Sequence, residues 1–510
     1  MINVRVFLIS ALICWSIGQT AAASVAQTPL LLGSGNVPGS LALVPSVEYP
    51  TVVSIANTGA FSREKLYTGY FDSLKCYKYI GKTTGKKEDI TNNDRFEPVS
   101  KISLIGRCGS EEFHGNFLNW AFTPTIDPFR AALTGGNRFI DEPKLTVLQK
   151  ARNPQWDGNR GSGDLKETAA VTPYGRAIDS ITLGQKQHSA EIKLGRETKT
   201  YMIRVKVCDP RFLEANCQPY PNGGYKPEGL IQQYARELRY SAFGYLNDSS
   251  NNPYRKGGVL RAEQKYVGPK KPVFGGVGEE ANPQAEWRED TGQLIQHPDR
   301  DANEGKSSWP DYGNSGVINY INKFGEWGTH SLKSYDPVSE LYYTAIRYFK
   351  NQGNVAEYTV KRANVEQQAD RFPVIEHNWS DPINYSCQKN IILGIGDVNT
   401  HQDRNLPAKD DNLPLNAYTN KILRSEGSPK TAEQEFTGRN NSAYIAGLAY
   451  YANTTNIRPN EKLGDQRIST YWVDVRENEH LADRIYNQYW LATKYGGFTV
   501  PKDFEPLKSS

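Results

Sequence analysis

Beyond its first residues the sequence has no apolar run approaching the ~20 residues a bilayer crossing needs, so no membrane span is expected. It contains no G-x-S-x-G, H-E-x-x-H or G-x-x-x-x-G-K-[ST] stretch. The usual signals of a serine hydrolase, a zinc protease and a P-loop are therefore missing. No cysteine pair has C-x-x-C spacing, which removes a zinc site of that kind. Like charges never run on for more than a few residues, and the formal net charge is only +4. That balance gives no reason to expect nucleic acid or an acidic membrane surface as a partner. No internal repeat is visible. Histidine is scarce, with seven residues. Seven His among 56 acidic residues yield some catalytic-looking pairs by chance; His401 near Asp397 and Asp403 is one, and a loop histidine near acids is more often a hydrogen-bonding group than a catalyst. No enzymatic activity is expected.

What is present points to export. Arg5 precedes an apolar run from Val6 to Ile17, and Thr20-Ala21-Ala22-Ala23-Ser24 supplies small residues. This order of charge, apolar core and A-x-A site reads as a Sec signal peptide over 1–23, cut after Ala23. Cys14 leaves with it, and Cys76, Cys108, Cys208, Cys217 and Cys387 remain for an oxidising compartment. Cys208 and Cys217 flank an eight-residue loop and form the first expected disulfide. Cys76 and Cys108 share one segment and form the second. Cys387 is left over, either free and buried or missing its partner. With 30 Tyr, 9 Trp, 44 Gly and 29 Pro, long loops packed around aromatics are expected.

A length of 510 residues suggests two or three structural units. Residues 24–48 read as an extended leader. Thr51–Ile55 is a β-branched run expected to form the first buried strand, with Asn57-Thr58-Gly59 as a turn. Asn116–Ala121 and Ile126–Leu133 read as a helix broken or kinked at Pro124 and Pro128 and stopped by Gly135-Gly136. Short strands follow through Cys208, with Ile192–Leu194 and Tyr201–Val207 alternating. Gly229–Leu246 has apolar residues at helical spacing, and Asn247–Trp309 reads as a long irregular connection. Val317–Phe324 and Val338–Phe349 read as helices, Asn390–Ile395 as a strand, Ser442–Ala452 as a helix, Ile468–Val475 as a strand and Ile485–Tyr495 as the last helix. Alternating strands and helices predict an α/β fold with an open, mostly parallel sheet covered on both faces.

Several stretches resemble one family in order along the chain. Tyr67–Asp72 with Lys75–Tyr79 is similar to its "YxGYFDxxKCYxY" stretch. Gly115–Trp120 followed by Ile126-Asp127 is similar to "GNFLNW…ID", and Val259–Ala262 through Lys265–Pro269 to "GGVLRAxxKYVGP". Tyr343–Phe349, Cys387–Asn390 and Gln488–Phe498 add further matches, so the likeness covers residues 50–498. The chain resembles the N-terminal half of the PilC/PilY type IV pilus tip adhesin and biogenesis family. That resemblance implies a von Willebrand factor A-like domain with an inserted β-rich subdomain and long loops. The expected division is 49–143 for its first part with a cysteine-bearing insertion, 144–227 for the β-rich insertion, 228–500 for the remainder and 501–510 for a tail. Relatives continue into a C-terminal β-propeller with an Asp-rich calcium loop, and no such loop occurs in these 510 residues.

Domains of this kind often hold a divalent cation, Mg2+ or Ca2+, through a D-x-S-x-S loop after the first strand, a Thr and an Asp. Counted from a strand at Thr51–Ile55, that loop falls on Ala56, Thr58 and Ala60. Asp336 stands where the Thr would be, and Asp397 is kept. A rearranged site from Thr58, Asp336 and Asp397 is weighed against both carboxylates serving as turn or helix caps. Asp299–Gly305 spaces oxygen donors alternately, and reads as an acidic solvated loop since its glycine is one place late for an EF-hand.

The expected function is that of an exported surface protein at the pilus tip, outer surface or periplasm. It would support pilus assembly and adhesion through contacts with minor pilins or a host-cell or surface ligand, with exposed Tyr and Trp at the loops. The alternatives are a truncated or split-gene remnant without the propeller and without pilus function, and a metal-dependent adhesin.

Overall fold

The computed structural model describes residues 37–46, 51–52, 54–152, 160–183, 188–247, 257–273, 278–326, 333, 335–362, 364–407, 413–475 and 484–497. The expected signal peptide, most of the leader and the tail over 501–510 lie outside the described residues. In chain order, β1 (Gly39–Pro45) comes first. It is followed by β2 (Lys75–Ile80), β3 (Arg95–Lys101), β4 (Phe113–His114) and helices α1 (Gly115–Phe122) and α2 (Ile126–Thr134). Next come β5 (Arg138–Glu142), β6 (Leu145–Gln149), β7 (Ser180–Leu183), β8 (Ser189–Leu194), β9 (Glu197–Met202) and β10 (Arg204–Val207). The last part holds β11 (Leu238–Tyr245), β12 (Gly258–Lys265), α3 (Val317–Lys323) and α4 (Val338–Phe349). It ends with β13 (Asn390–Asp397), α5 (Leu415–Ser425), α6 (Tyr444–Thr454), β14 (Ile468–Val475) and α7 (Gln488–Gly496).

The main sheet has the order β12-β11-β1-β13-β14. β1 runs parallel to both β11 and β13, β13 runs parallel to β14, and only edge strand β12 is antiparallel. Leu41 sits between Tyr240 and Ile391, and Leu43 between Ala242 and Leu393. All eight residues of β11 are buried, as expected of a strand covered on both faces. Phe243 meets Tyr348 of α4 at a ring-centroid distance of 5.7 Å. The next residue, Gly244, faces the opposite side, where an added Cβ would strike the Tyr320 hydroxyl of α3. Helices thus cover both faces, as the alternating pattern predicted.

A second sheet, ordered β4-β2-β3-β10-β6-β5, and the antiparallel sheet β7-β8-β9 carry an aromatic core. Phe96 packs edge-to-face on Phe71 at 5.4 Å and on Phe113 at 5.6 Å, an arrangement that suits the ring quadrupoles. The two matching motifs at Tyr67–Asp72 and Gly115–Trp120 belong together here. Asn119 Oδ1 accepts the Phe71 amide at 3.0 Å, and its Nδ2 donates to the carbonyls of Phe71 and Tyr67 at 2.7 and 3.1 Å. Gly69 must lack a side chain, since a Cβ would collide with that Asn119 carboxamide.

Four sequence expectations need correction. Thr51–Ile55 is not the first strand: Thr51 and Val52 are helical and Ile55 makes one isolated bridge to Pro124. The first strand is Gly39–Pro45, inside the segment read as a leader. Gly229–Leu246 is not one helix, because a single turn at Leu230–Gln233 gives way to β11. The connection over 247–309 contains the edge strand β12. Only Pro124 breaks the α1–α2 segment; Pro128 sits in the first turn of α2, where a missing amide costs nothing. Gly135, at φ 80°, ends α2 as expected.

Candidate functional site at the C-terminal edge of the main sheet

Parallel strands put their carboxyl ends on one edge, and here that edge carries Ser46, Tyr245, Asp397 and Val475. From β1 the chain goes to β11 on one side and later to β13 on the other, so a topological switch lies between β1 and β13. Ligands of open α/β sheets bind outside such a point. The Ser46 amide donates to Ile395 O at 2.8 Å across the switch, and Tyr489 Oη donates to Asp397 O at 2.7 Å.

Four buried carboxylates gather behind this edge: Asp336, Glu340, Asp397 and Asp403 are each at most 3% exposed. Asp336 Oδ1 accepts the His401 amide at 2.7 Å and faces His401 Nδ1 at 3.1 Å. Asp403 accepts the Ser339 amide at 2.7 Å, the Ser339 hydroxyl at 3.0 Å and the Thr400 hydroxyl at 3.3 Å. It therefore caps the amino end of α4 from a distant loop. Glu340 Oε1 accepts the Asn405 amide at 2.6 Å. Burial, then the charge of Asp403, holds Glu340 well above the ordinary carboxylate range. The Glu340–Asp403 contact raises Glu340 and lowers Asp403, while burial raises both. Asp336 is likewise held well above that range, by burial first and then by the charges of Asp397 and Asp403. The network fixes the loop over 398–407 against α4.

Asp336 and Asp397 are therefore close enough to feel each other's charge. Thr58 is not with them: it is exposed, and its neighbours Asn57 and Gly59 bind elsewhere. The Asn57 carbonyl accepts from Arg160 at 2.6 Å and the Gly59 carbonyl accepts Trp120 Nε1 at 3.0 Å. With β1 ending at Pro45, the first-strand loop starts at Ser46 and not at Ala56. Among the described residues, no three acid or histidine ligand atoms of this cluster come within 4.8 Å of one another. The residues do not fit the divalent cation set expected from the sequence. Asp299 is not solvated either; it is buried and ion-paired to Lys265, which also meets Glu286 at 2.9 Å.

Sequence reasoning missed Glu340 and Ser339, which lie in the first turn of an evident helix and carry no motif. It also missed a Ser–His–Asp line: His297 Nδ1 is 2.8 Å from Ser315 Oγ and Nε2 is 3.0 Å from Asp311 Oδ1. Ser315 is fully buried and its hydroxyl accepts the Asp299 amide at 2.9 Å, so no substrate carbonyl reaches it. Beside the acid network, Tyr343, Arg404, Leu406, Leu415, Tyr444 and Leu448 help to line a cavity of about 540 Å3. The expected exposed aromatics are not found: among the described residues every Tyr and Trp is buried or half-buried. Exposed large apolar side chains are aliphatic, including Leu66, Leu74 and Ile105.

Both expected disulfides are formed, Cys76–Cys108 and Cys208–Cys217, while Cys387 is free and exposed. Such bonds fit a periplasmic or extracellular protein. No helix of the described residues is long and apolar enough to cross a membrane.

Fold and site together define a disulfide-bonded α/β protein whose strand-end loops are locked by buried acids. Residues 58–206 match the family described as "PilY1 homolog, small alpha/beta domain", and residues 243–462 match "PilY1 homolog, second domain". The chain belongs to the PilY1 homolog family. A type IV pilus biogenesis factor PilY1 homolog of Xylella fastidiosa (strain Temecula1 / ATCC 700964) is 41% identical over 558 residues, 96% of this chain and 45% of that protein. A second one from the same strain is 24% identical over 456 residues, 71% of this chain and 28% of that protein. The chain thus spans less than half the length of either relative. No solved structure matches.

Proposed function

We propose that this chain is an exported, non-enzymatic binding protein that supports type IV pilus assembly and adhesion. The observation that carries the reading is the 41% identity to a pilus biogenesis factor over 96% of the chain. We read the main sheet as von Willebrand factor A-like, on the strength of its strand order and single antiparallel edge. Binding falls to the loops at the carboxyl ends of β1, β11, β13 and β14, held in one shape by the Asp336–His401 and Asp403–Ser339 contacts. A fixed loop surface lowers the ordering cost of docking a protein partner. The partners are minor pilins at the pilus tip, or a host-cell or surface ligand, met after Sec export. Cross-linking in the source bacterium, followed by capture of the chain, tests this. Minor pilins should be recovered with wild-type chain, and recovery should fall with Arg404→Glu at the strand-end loop. No minor pilins recovered with wild-type chain, or equal recovery with the variant, would contradict it.

A further inference from the structure

Lys323 closes α3 and reaches to the start of β5. Its Nζ lies 2.5 Å from Asn137 Oδ1 and 3.0 Å from the Arg138 carbonyl oxygen. Asn137 is fully buried, and its carboxamide cannot turn away. Nδ2 donates to Gln149 O at 3.2 Å, which directs Oδ1 to the lysine. Its backbone is fixed as well, with the amide donating to Tyr70 Oη at 3.1 Å and the carbonyl accepting the Gln149 amide at 2.9 Å. An amine and a carboxamide, 186 residues apart in sequence, are thus held in direct hydrogen-bond contact.

Charged and titratable groups surround the pair. Glu326 lies within the next turn after Lys323, with its amide donating to Lys323 O at 3.0 Å and its carboxylate held by Arg130 at 2.7 Å. Burial pulls Lys323 down to about 8, Glu326 opposing and Arg130 adding to the fall. A neutral, nucleophilic amine is therefore within reach near neutral pH. Asp127, whose charge Tyr70 and Arg130 both feel, is pushed up to about 7 by burial.

We propose that Lys323 and Asn137 join in an intramolecular isopeptide bond that ties the β5–β6 hairpin to α3. The neutral Nζ attacks Asn137 Cγ and forms a new N–C bond. The Cγ–Nδ2 bond then breaks, and Nδ2 leaves as ammonia with its electron pair and the proton that Nζ gives up. One amine and one carboxamide become one secondary amide and one ammonia, with no oxidant or reductant.

The test is the intact mass of the full purified chain after disulfide reduction, with peptide mapping. The expected mass falls short of the processed sequence by one ammonia. A branched peptide should join the segments holding Asn137 and Lys323, and Lys323→Arg and Asn137→Ala should each restore the full mass. A wild-type mass equal to the sequence, with both residues recovered in linear peptides, overturns the proposal whether or not the variants fold. An ammonia loss without the branched peptide, or one that persists in Lys323→Arg, overturns it too.

Discussion

Asp403 holds the amino end of α4 by accepting both the amide and the hydroxyl of Ser339, at 2.7 and 3.0 Å, from a loop 64 residues further on. Helix ends leave amides without intrahelical partners, and a buried one left unpaired is costly. Asp403→Ala removes the cap and leaves Ser339 unpaired inside the protein. The expected loss of unfolding free energy is about 2 kcal/mol, read from chemical denaturation. Asp403→Asn, which keeps an acceptor oxygen, should lose less.

Glu340 gives a pH signature. Its folded pKa is raised by burial and by Asp403, so the folded state binds the proton more tightly than the unfolded chain. The stability from this group is fully present below the unfolded value of about 4.3. It is lost as pH rises toward the folded pKa. Glu340→Gln keeps a donor for Asp403 without a titrating proton. Melting temperatures across acid to mildly alkaline buffers should fall less steeply for the variant, with its advantage growing at high pH. A parallel pair of curves would show that Glu340 does not carry the proton.

Asn119 makes the matching motifs interdependent. Its side chain serves the Tyr67–Phe71 stretch through three backbone hydrogen bonds. Asn119→Leu has similar size but leaves those groups unpaired, and should cost about 3 kcal/mol or more. Urea denaturation checks this, and Gly69→Ala should destabilise for the converse reason, by overfilling the space beside Asn119.

The Cys208–Cys217 bond closes a short loop whose Glu214 carboxylate accepts the Cys208 amide at 2.7 Å and meets Lys75 at 2.6 Å. Replacing both cysteines with Ser should cost about 2–3 kcal/mol, with the loop becoming sensitive to limited proteolysis.

Much of this was legible in the sequence where local pattern and tertiary setting agree. Asn390–Ile395 and Ile468–Val475 are β-branched runs and became β13 and β14. Val338–Phe349, opened by Asp336-Pro337, became α4 with the same bounds. Leu238–Tyr245 was misread because a strand buried on both faces shows no alternation. The helical spacing before it belongs to the real turn at Leu230–Gln233. β1 was hidden as a seven-residue apolar stretch between Pro- and Ser-bearing flanks, and missing it moved the expected first-strand loop from Ser46 to Ala56. Asp336 and Asp397 were legible as neighbours through the family resemblance. The raised pKa of Glu340 was not, since it depends on burial and on an acid 63 positions away in the chain.

The most direct measurement is a count of surface pili in the source bacterium after deletion of the gene and complementation. Few or no pili in the deletion strain, restored by wild-type chain and not by the Arg404→Glu variant, are expected if the strand-end loops engage the pilus machinery. Unchanged numbers of pili and unchanged adhesion in the deletion strain would contradict a pilus role for this chain.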